Sequence, residues 1–481
     1  MKMSIAKKAI SGVLWMTGIS YLGFGVNFII QLILVRLLNP EDFGLFALGL
    51  SIAEILFIFF SFSFSMGVIQ IQETEDLFDT AFYLSLISGT LILIIGGIIS
   101  LILSRFYPLP SIVAFFILCI LQLFQGCSSI YSASMEKELQ FKKNALVRGL
   151  ATNFSGFGAV LLAYLGYGLW SLIGREVISA LLMLLGMRFF ADYRFKGRFN
   201  KNTAKKLIDF GYKMLLSRGL EIVYHRVPNF FIGVFAGTKA LGLFSQTYYL
   251  ASLPNALLTP ATTYVAFPTY SKIASDKKKI GKAFFITNYF FIRLLVPLML
   301  ILFLFPTEVL SILYGEKWIE ASSILRFFSV YAMFLPLFSN AKTFLYSIGE
   351  ILEVTKSYFC QIAVISIGIL LVLITKLASL AALTYSFSII LGLLMVYHFL
   401  KKKISNFELN FRKLFVLPLL LILCIVLFWR LFFFNFEFQF WKSNILSILY
   451  FMILYVVFTL IILLFEFKAF INNLLFLKKN I

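Results

Sequence analysis

The sequence predicts an all-α polytopic membrane protein of about 14 transmembrane helices, each near the ~20 apolar residues that a bilayer core requires. Three observations predict it. Of 481 residues, 61% are hydrophobic and 13% charged, where a soluble domain carries about 25% charged residues. Apolar runs of span length recur from one end to the other. Lysine and arginine gather on alternate connecting segments, as they do on the inner side of a membrane.

The first span, at about 11–35, follows the three lysines of "MKMSIAKKAI". A cleavable signal peptide would have a shorter apolar core and a small-residue cleavage site, so this run reads as a membrane helix. Further spans fall at approximately 44–64, 80–104, 111–133, 147–167 and 169–190. The basic segment "RFFADYRFKGRFNKNTAKK" comes next. Beyond it lie spans at approximately 210–235, 241–264, 285–306, 321–345, 352–374 and 378–400, then two more at 414–434 and 444–466. Between the first two spans, Asn39-Pro40-Glu41-Asp42 reads as a turn and helix cap. "FFFNFEFQFW" at 432–441 reads as an interfacial aromatic belt.

The 42 Lys and Arg against 22 Asp and Glu give a net charge of +20. No nucleic-acid motif or stacking platform accompanies that charge, so no nucleic-acid partner is predicted. With the N-terminus inside, cytoplasmic segments hold 28 of the 42 basic residues, the opposite side 7 and the spans 7, counting span-end residues with the adjoining loop. That bias places both termini on the cytoplasmic side. The richest segment, with Arg188, Arg194, Lys196, Arg198, Lys201, Lys205 and Lys206, reads as a topology signal that meets anionic headgroups. Cys119, Cys127, Cys360 and Cys424 all sit in apolar runs, so neither a disulfide nor a metal site is predicted. No cofactor is predicted.

The chain also resembles itself. "NFIIQLILVRLLNPEDFGLFALGLSIAEI", from Asn27, aligns without a gap on "HRVPNFFIGVFAGTKALGLFSQTYYLASL", from His225, at an offset of 198. Gly44-Leu45-Phe46 falls on Gly242-Leu243-Phe244. Two halves of like orientation, six helices each, form a parallel-repeat transporter plan. The division is then 1–195 for the N-terminal bundle, 196–209 for the basic linker, 210–400 for the C-terminal bundle and 401–481 for two added helices.

"VLWMTGISYLGFGVNFIIQLILVRLLNPEDFGLFAL" resembles the opening of bacterial oligosaccharide (O-antigen and exopolysaccharide, Wzx-type) flippases of the multidrug/oligosaccharidyl-lipid/polysaccharide exporter superfamily. "SMEKELQFKKNALV", "LGYGLWSLI", "LGLFSQTYYLASLPNALLTPATTYVAFPTYSKI" and "LYGEKWIEASSIL" extend the resemblance over roughly residues 5 to 400. It implies two six-helix bundles around a central cavity, alternating access and no catalysis. The implied cargo is undecaprenyl-diphosphate-linked oligosaccharide, moved from the cytoplasmic to the outer leaflet of a bacterial cytoplasmic membrane. Polysaccharide polymerase machinery is a candidate partner. The family pattern supplies no catalytic triad, so site residues must come from this chain.

A lipid diphosphate needs fixed donors in place of its water. Arginine pairs with two phosphate oxygens and lysine acts as a point charge. The span at 210–235 carries Lys213, Arg218, Glu221, His225 and Arg226 in otherwise apolar sequence. At 100° per residue, Arg218, Glu221 and His225 share a face within about 60°, Arg226 lies about 80° from Arg218, and Lys213 points away. The trio is therefore expected to line the cavity; a local Arg218–Glu221 pair is the alternative. Pro228 is a candidate kink.

Arg175, Arg293, Arg326 and Lys342 are the other candidate substrate-binding cations. Arg293 is placed about one turn from the cytoplasmic edge, where it either binds substrate or snorkels to the headgroups. Glu54, Glu176 and Glu221 are candidate ion-coupling carboxylates, for a proton or sodium ion. Glu54, with no cation in its own helix, is the leading proton site.

A multidrug cation antiporter of the same superfamily would favour carboxylates in its cavity, whereas these spans hold more cations. A flippase for the peptidoglycan lipid precursor would share the cationic cavity. A membrane glycosyltransferase or polymerase would need a large external loop or an acidic catalytic motif, and neither is visible.

Overall fold

The computed structural model describes residues 5–61, 64–71, 76–260, 262, 266–403, 453 and 456. The elements run α1 (Ile5–Leu37), α2 (Pro40–Ser61), α3 (Phe64–Gln70), α4 (Leu77–Leu103), α5 (Leu109–Lys137), α6 (Phe141–Tyr164), α7 (Leu169–Phe190), α8 (Lys201–Phe235) and α9 (Thr238–Pro260). They continue with α10 (Phe267–Lys272), α11 (Lys277–Leu304), α12 (Pro306–Leu313), a 3-10 turn (Glu316–Ala321), α13 (Ser322–Ser347), α14 (Ile351–Thr375) and α15 (Ala378–Lys403). The chain is an all-α, multi-pass membrane protein.

The first twelve predicted spans each have a helical counterpart: α1, α2, α4 to α9, α11, α13, α14 and α15. Among the described residues, nine stretches are long and apolar enough to cross a membrane. α8, which carries the embedded charges, is not one of them. Spans 13 and 14, the aromatic belt at 432–441 and Cys424 lie outside the described residues.

Two compact units divide the chain, Met1–Ser245 with Val372–Leu377, and Gln246–Leu371 with Ala378–Ile481. In unit 1, α4 packs on α5, α6 on α1 and α7, and α2 on α8. Between helices in lipid, the hydrophobic effect supplies little. Close van der Waals packing and interhelical hydrogen bonds hold them together, and small residues allow the approach. Gly89 and Gly96 of α4 lie against Leu123 and Cys119 of α5 so closely that an added Cβ would meet each side chain.

The start of α2 is capped as its sequence predicts. Asp42 accepts a hydrogen bond from the Asn39 N–H at 3.1 Å, with Pro40 at the first helical position. The same turn makes a very close backbone approach. A Cβ on Gly44 would overlap the Thr238 carbonyl, and one on Gly242 would overlap the Pro40 carbonyl. Residues 198 apart thus play reciprocal parts, Pro40 with Gly242 and Thr238 with Gly44.

The basic segment is tied down at the start of α4. Buried Asp79 accepts from Tyr193 Oη at 2.7 Å and from the N–H groups of Lys196 and Arg198 at 3.1 and 2.9 Å. Burial, then the bond to Asp79, holds the Tyr193 hydroxyl well above the usual phenol range. Asn200 caps α8 by accepting from the N–H groups of Asn202 and Thr203. α8 therefore starts at Lys201 and carries part of the basic segment on its first turns.

In unit 2, α13 packs on α11 and α15. Tyr270 Oη bonds Thr287 Oγ1 and Asn340 Oδ1, each at 3.0 Å. Asn340 Nδ2 donates to Asn288 Oδ1 at 2.9 Å. Interhelical amide and hydroxyl bonds of this kind satisfy groups that lipid cannot.

Candidate functional site

The embedded charges of unit 1 meet around α8. Arg226 Nε pairs with the Glu54 carboxylate of α2, and both side chains are about a third exposed, at 33% and 29%. Three residues on, Asn229 Nδ2 donates to Ser51 Oγ of α2 at 3.2 Å. Ile222, Arg226 and Asn229 fall on one stripe of α8, and that stripe serves α2. Glu176 of α7 lies within electrostatic reach of both Arg175 and Glu54. Through Glu54 and Glu176, the cations of α7 and α8 thus belong to one charged neighbourhood.

The α2 helix holds no cation of its own, but α8 delivers one, so Glu54 is half of an ion pair. A period calculation along one helix cannot find a partner that arrives from another.

The stripe also lies beside the predicted face. The backbones of Lys213 and Arg218 are helical, while their side chains lie outside the described residues. Glu221 and His225 are half-buried, and the His225 ring meets the buried Tyr224 ring edge-on at 4.8 Å. Arg226, placed about 80° from Arg218, pairs with a carboxylate from α2.

Arg175 is engaged by α1. It donates to Asn27 Oδ1 at 2.5 Å and to Gln31 Oε1 at 3.2 Å, which fastens α7 to α1.

The cations of unit 2 are dispersed. Arg293 is 6% exposed and lies midway along α11, not one turn from its end. The sequence places the helix start eight residues late, because the lysine-rich "KKKIGKAFF" reads as loop. The Arg293 guanidinium lies 3.5 Å from the centroid of the Tyr289 ring, a cation–π contact. Lys342 Nζ reaches Tyr358 Oη at 3.3 Å. Exposed Arg326 donates to the Phe303 carbonyl at 3.3 Å, closing the end of α11.

Unit 1 also holds a cavity of about 340 Å³ that sequence reasoning missed. Glu54 and Phe57 of α2, Ser85 and Ser88 of α4, Gln122 and Gln125 of α5, and Ile222 of α8 are among its lining residues. The signal available in the sequence was the run of serine, glutamine and glycine inside α4 and α5, which is polar for lipid-facing helices.

Residues 33–323 match the family described as polysaccharide biosynthesis protein. The chain belongs to that family. It is 25% identical over 331 residues to the succinoglycan biosynthesis transport protein ExoT of Rhizobium meliloti (strain 1021), covering 68% of this chain and 67% of ExoT. It is 25% identical over 336 residues to the teichuronic acid biosynthesis protein TuaB of Bacillus subtilis (strain 168), covering 68% of each. The fold is similar to that of the lipid II flippase MurJ in an inward closed conformation, with a TM-score of 0.69 and 15% identity over 95% of this chain and 100% of MurJ.

Proposed function

We propose that the protein is a flippase for undecaprenyl-diphosphate-linked oligosaccharide in a bacterial cytoplasmic membrane. It serves surface polysaccharide biosynthesis and works by alternating access, as a transporter and not an enzyme. Both termini face the cytoplasm, as the four-to-one distribution of basic residues requires. The pseudo-repeat of six helices and six belongs to this reading, and the reciprocal contacts of Gly44 and Gly242 support it.

The observation that carries the reading is the Arg226–Glu54 pair in a chain of this family. An arginine inside a bilayer is costly unless compensated. In the resting pair the Glu54 carboxylate supplies the compensation. A diphosphate offers the same guanidinium two accepting oxygens on one phosphorus, so it competes with the carboxylate for Arg226. Glu54, once displaced, is left as a carboxyl in a low-dielectric region and becomes a natural proton acceptor. That exchange would couple substrate loading to a proton. Lys213, Arg218, Glu221 and His225 extend the charged stretch of α8 from Arg226 toward its N-terminus.

The test is deletion of the gene, followed by extraction of lipid-linked glycans and analysis of surface polysaccharide. Accumulation of undecaprenyl-diphosphate-oligosaccharide inside, with loss of the surface glycan, is the expected result. A normal surface glycan with altered sensitivity to cationic drugs would overturn it in favour of a multidrug antiporter.

A further inference from the structure

We propose that the cavity of unit 1 is a sugar subsite that takes an uncharged pyranose, the residue of the glycan nearest the diphosphate. The assignment rests on the flippase reading and adds where the glycan binds.

The lining chemistry selects the ligand class. Gln122 is 4% exposed and lines the cavity. Among the described residues, no donor reaches its Oε1. A buried acceptor without a partner is costly, and a ligand hydroxyl placed there would relieve that cost. Ser85 and Ser88, 6% and 7% exposed, add hydroxyls from α4. The Phe57 ring contributes an aromatic wall. Side-chain amides and hydroxyls that both donate and accept, beside an aromatic wall, match a ring of alternating hydroxyls with an apolar C–H face.

Charge excludes the alternatives. Glu54 lines the cavity, and its carboxylate is paired with Arg226, so this wall presents no net charge to draw in either an anion or a cation. A neutral polar ligand is what remains. Ligand pockets run from about 300 to 1,000 Å³. At about 340 Å³, the cavity suits one or two sugars, not a long glycan.

Connectivity supplies the last argument. In a lipid-linked saccharide the first sugar is bonded directly to the diphosphate. A sugar subsite must therefore adjoin the phosphate-binding cation. Glu54 meets that condition, because it both lines the cavity and holds Arg226.

The experiment measures binding to the purified full-length protein in lipid nanodiscs. The probes are undecaprenyl diphosphate bearing one galactose and bare undecaprenyl diphosphate, with wild type and Gln122→Leu. The galactosyl lipid should bind wild type about tenfold more tightly than the bare lipid. Gln122→Leu should abolish that difference while leaving affinity for the bare lipid unchanged, which also shows that the variant is folded. Ser88→Val should give a smaller loss of the same kind. Equal affinities of wild type for the two lipids, or a galactosyl preference that survives Gln122→Leu, would overturn the sugar subsite and leave the flippase reading standing. Failure of wild type to bind either lipid would overturn both.

Discussion

Arg226 and Arg293 both lie well inside long helices, α8 and α11, and they are held there in different ways. Arg226 is a third exposed, and a carboxylate from another helix compensates it beside a polar cavity. Arg293 is 6% exposed, and the ring one turn earlier on its own helix covers it. A carboxylate is a partner that a phosphate can replace. A tyrosine face fixed by local helix geometry is not. The comparison teaches that an embedded charge is informative through the identity of its partner rather than through its depth.

The comparison is broken or sharpened most strongly at Arg226. Arg226→Ala should lower export of surface polysaccharide about 10- to 100-fold, since hydrogen bonds to charged groups contribute about 1.5–3 kcal/mol each. Protein level in the membrane should stay unchanged, as quantitative blotting would show. Full export by Arg226→Lys would mean that charge alone suffices and that forked pairing is the wrong mechanism.

Arg293→Met should act on stability instead. Loss of the cation–π contact should cost about 1–2 kcal/mol and lower the melting temperature in detergent. Export per folded molecule should hold. Were export to collapse at unchanged melting temperature, Arg293 would belong with Arg226 as a substrate contact.

Glu54→Gln should have a smaller effect with the opposite sign on binding. With the competing carboxylate gone, affinity for bare undecaprenyl diphosphate should rise about threefold, while the pH dependence of transport should flatten. An unchanged pH profile would remove Glu54 from coupling.

The smallest effect is expected at Asp276, which touches neither arginine and calibrates the stability assay. Asp276 caps α11 by accepting from the Lys278 and Lys279 N–H groups at 3.1 and 3.0 Å. The Lys279 backbone bond holds its carboxyl below the usual range. A depressed folded value means that its contribution is present above the unfolded value, about 3.9, and lost as pH falls through the folded one. Asp276→Asn should therefore lower the melting temperature slightly at pH 7, and the difference should close as pH falls through the range in which Asp276 takes up its proton.

Much of the fold was legible because lipid imposes a strict rule. A backbone in hydrocarbon must satisfy its own hydrogen bonds, so twenty apolar residues mean a helix. Length, hydrophobicity and the cap at Asn39 to Asp42 carry that information locally. Gly44 and Gly242, which the sequence aligns at an offset of 198, each lie against a backbone carbonyl, and close helix approach demands glycine wherever the neighbour comes from.

The candidate site was legible only in its ingredients. The sequence by itself determined that α8 carries charges that need partners, and that Glu54 and Glu176 are embedded. Tertiary structure decided that Arg226 meets Glu54, that α1 holds Arg175, and that Gln122 and Ser85 open onto one cavity. The reason is physical. Helical periodicity fixes which residues share a face, but an ion pair between helices depends on which faces meet. In a membrane, many apolar faces are interchangeable until packing selects among them.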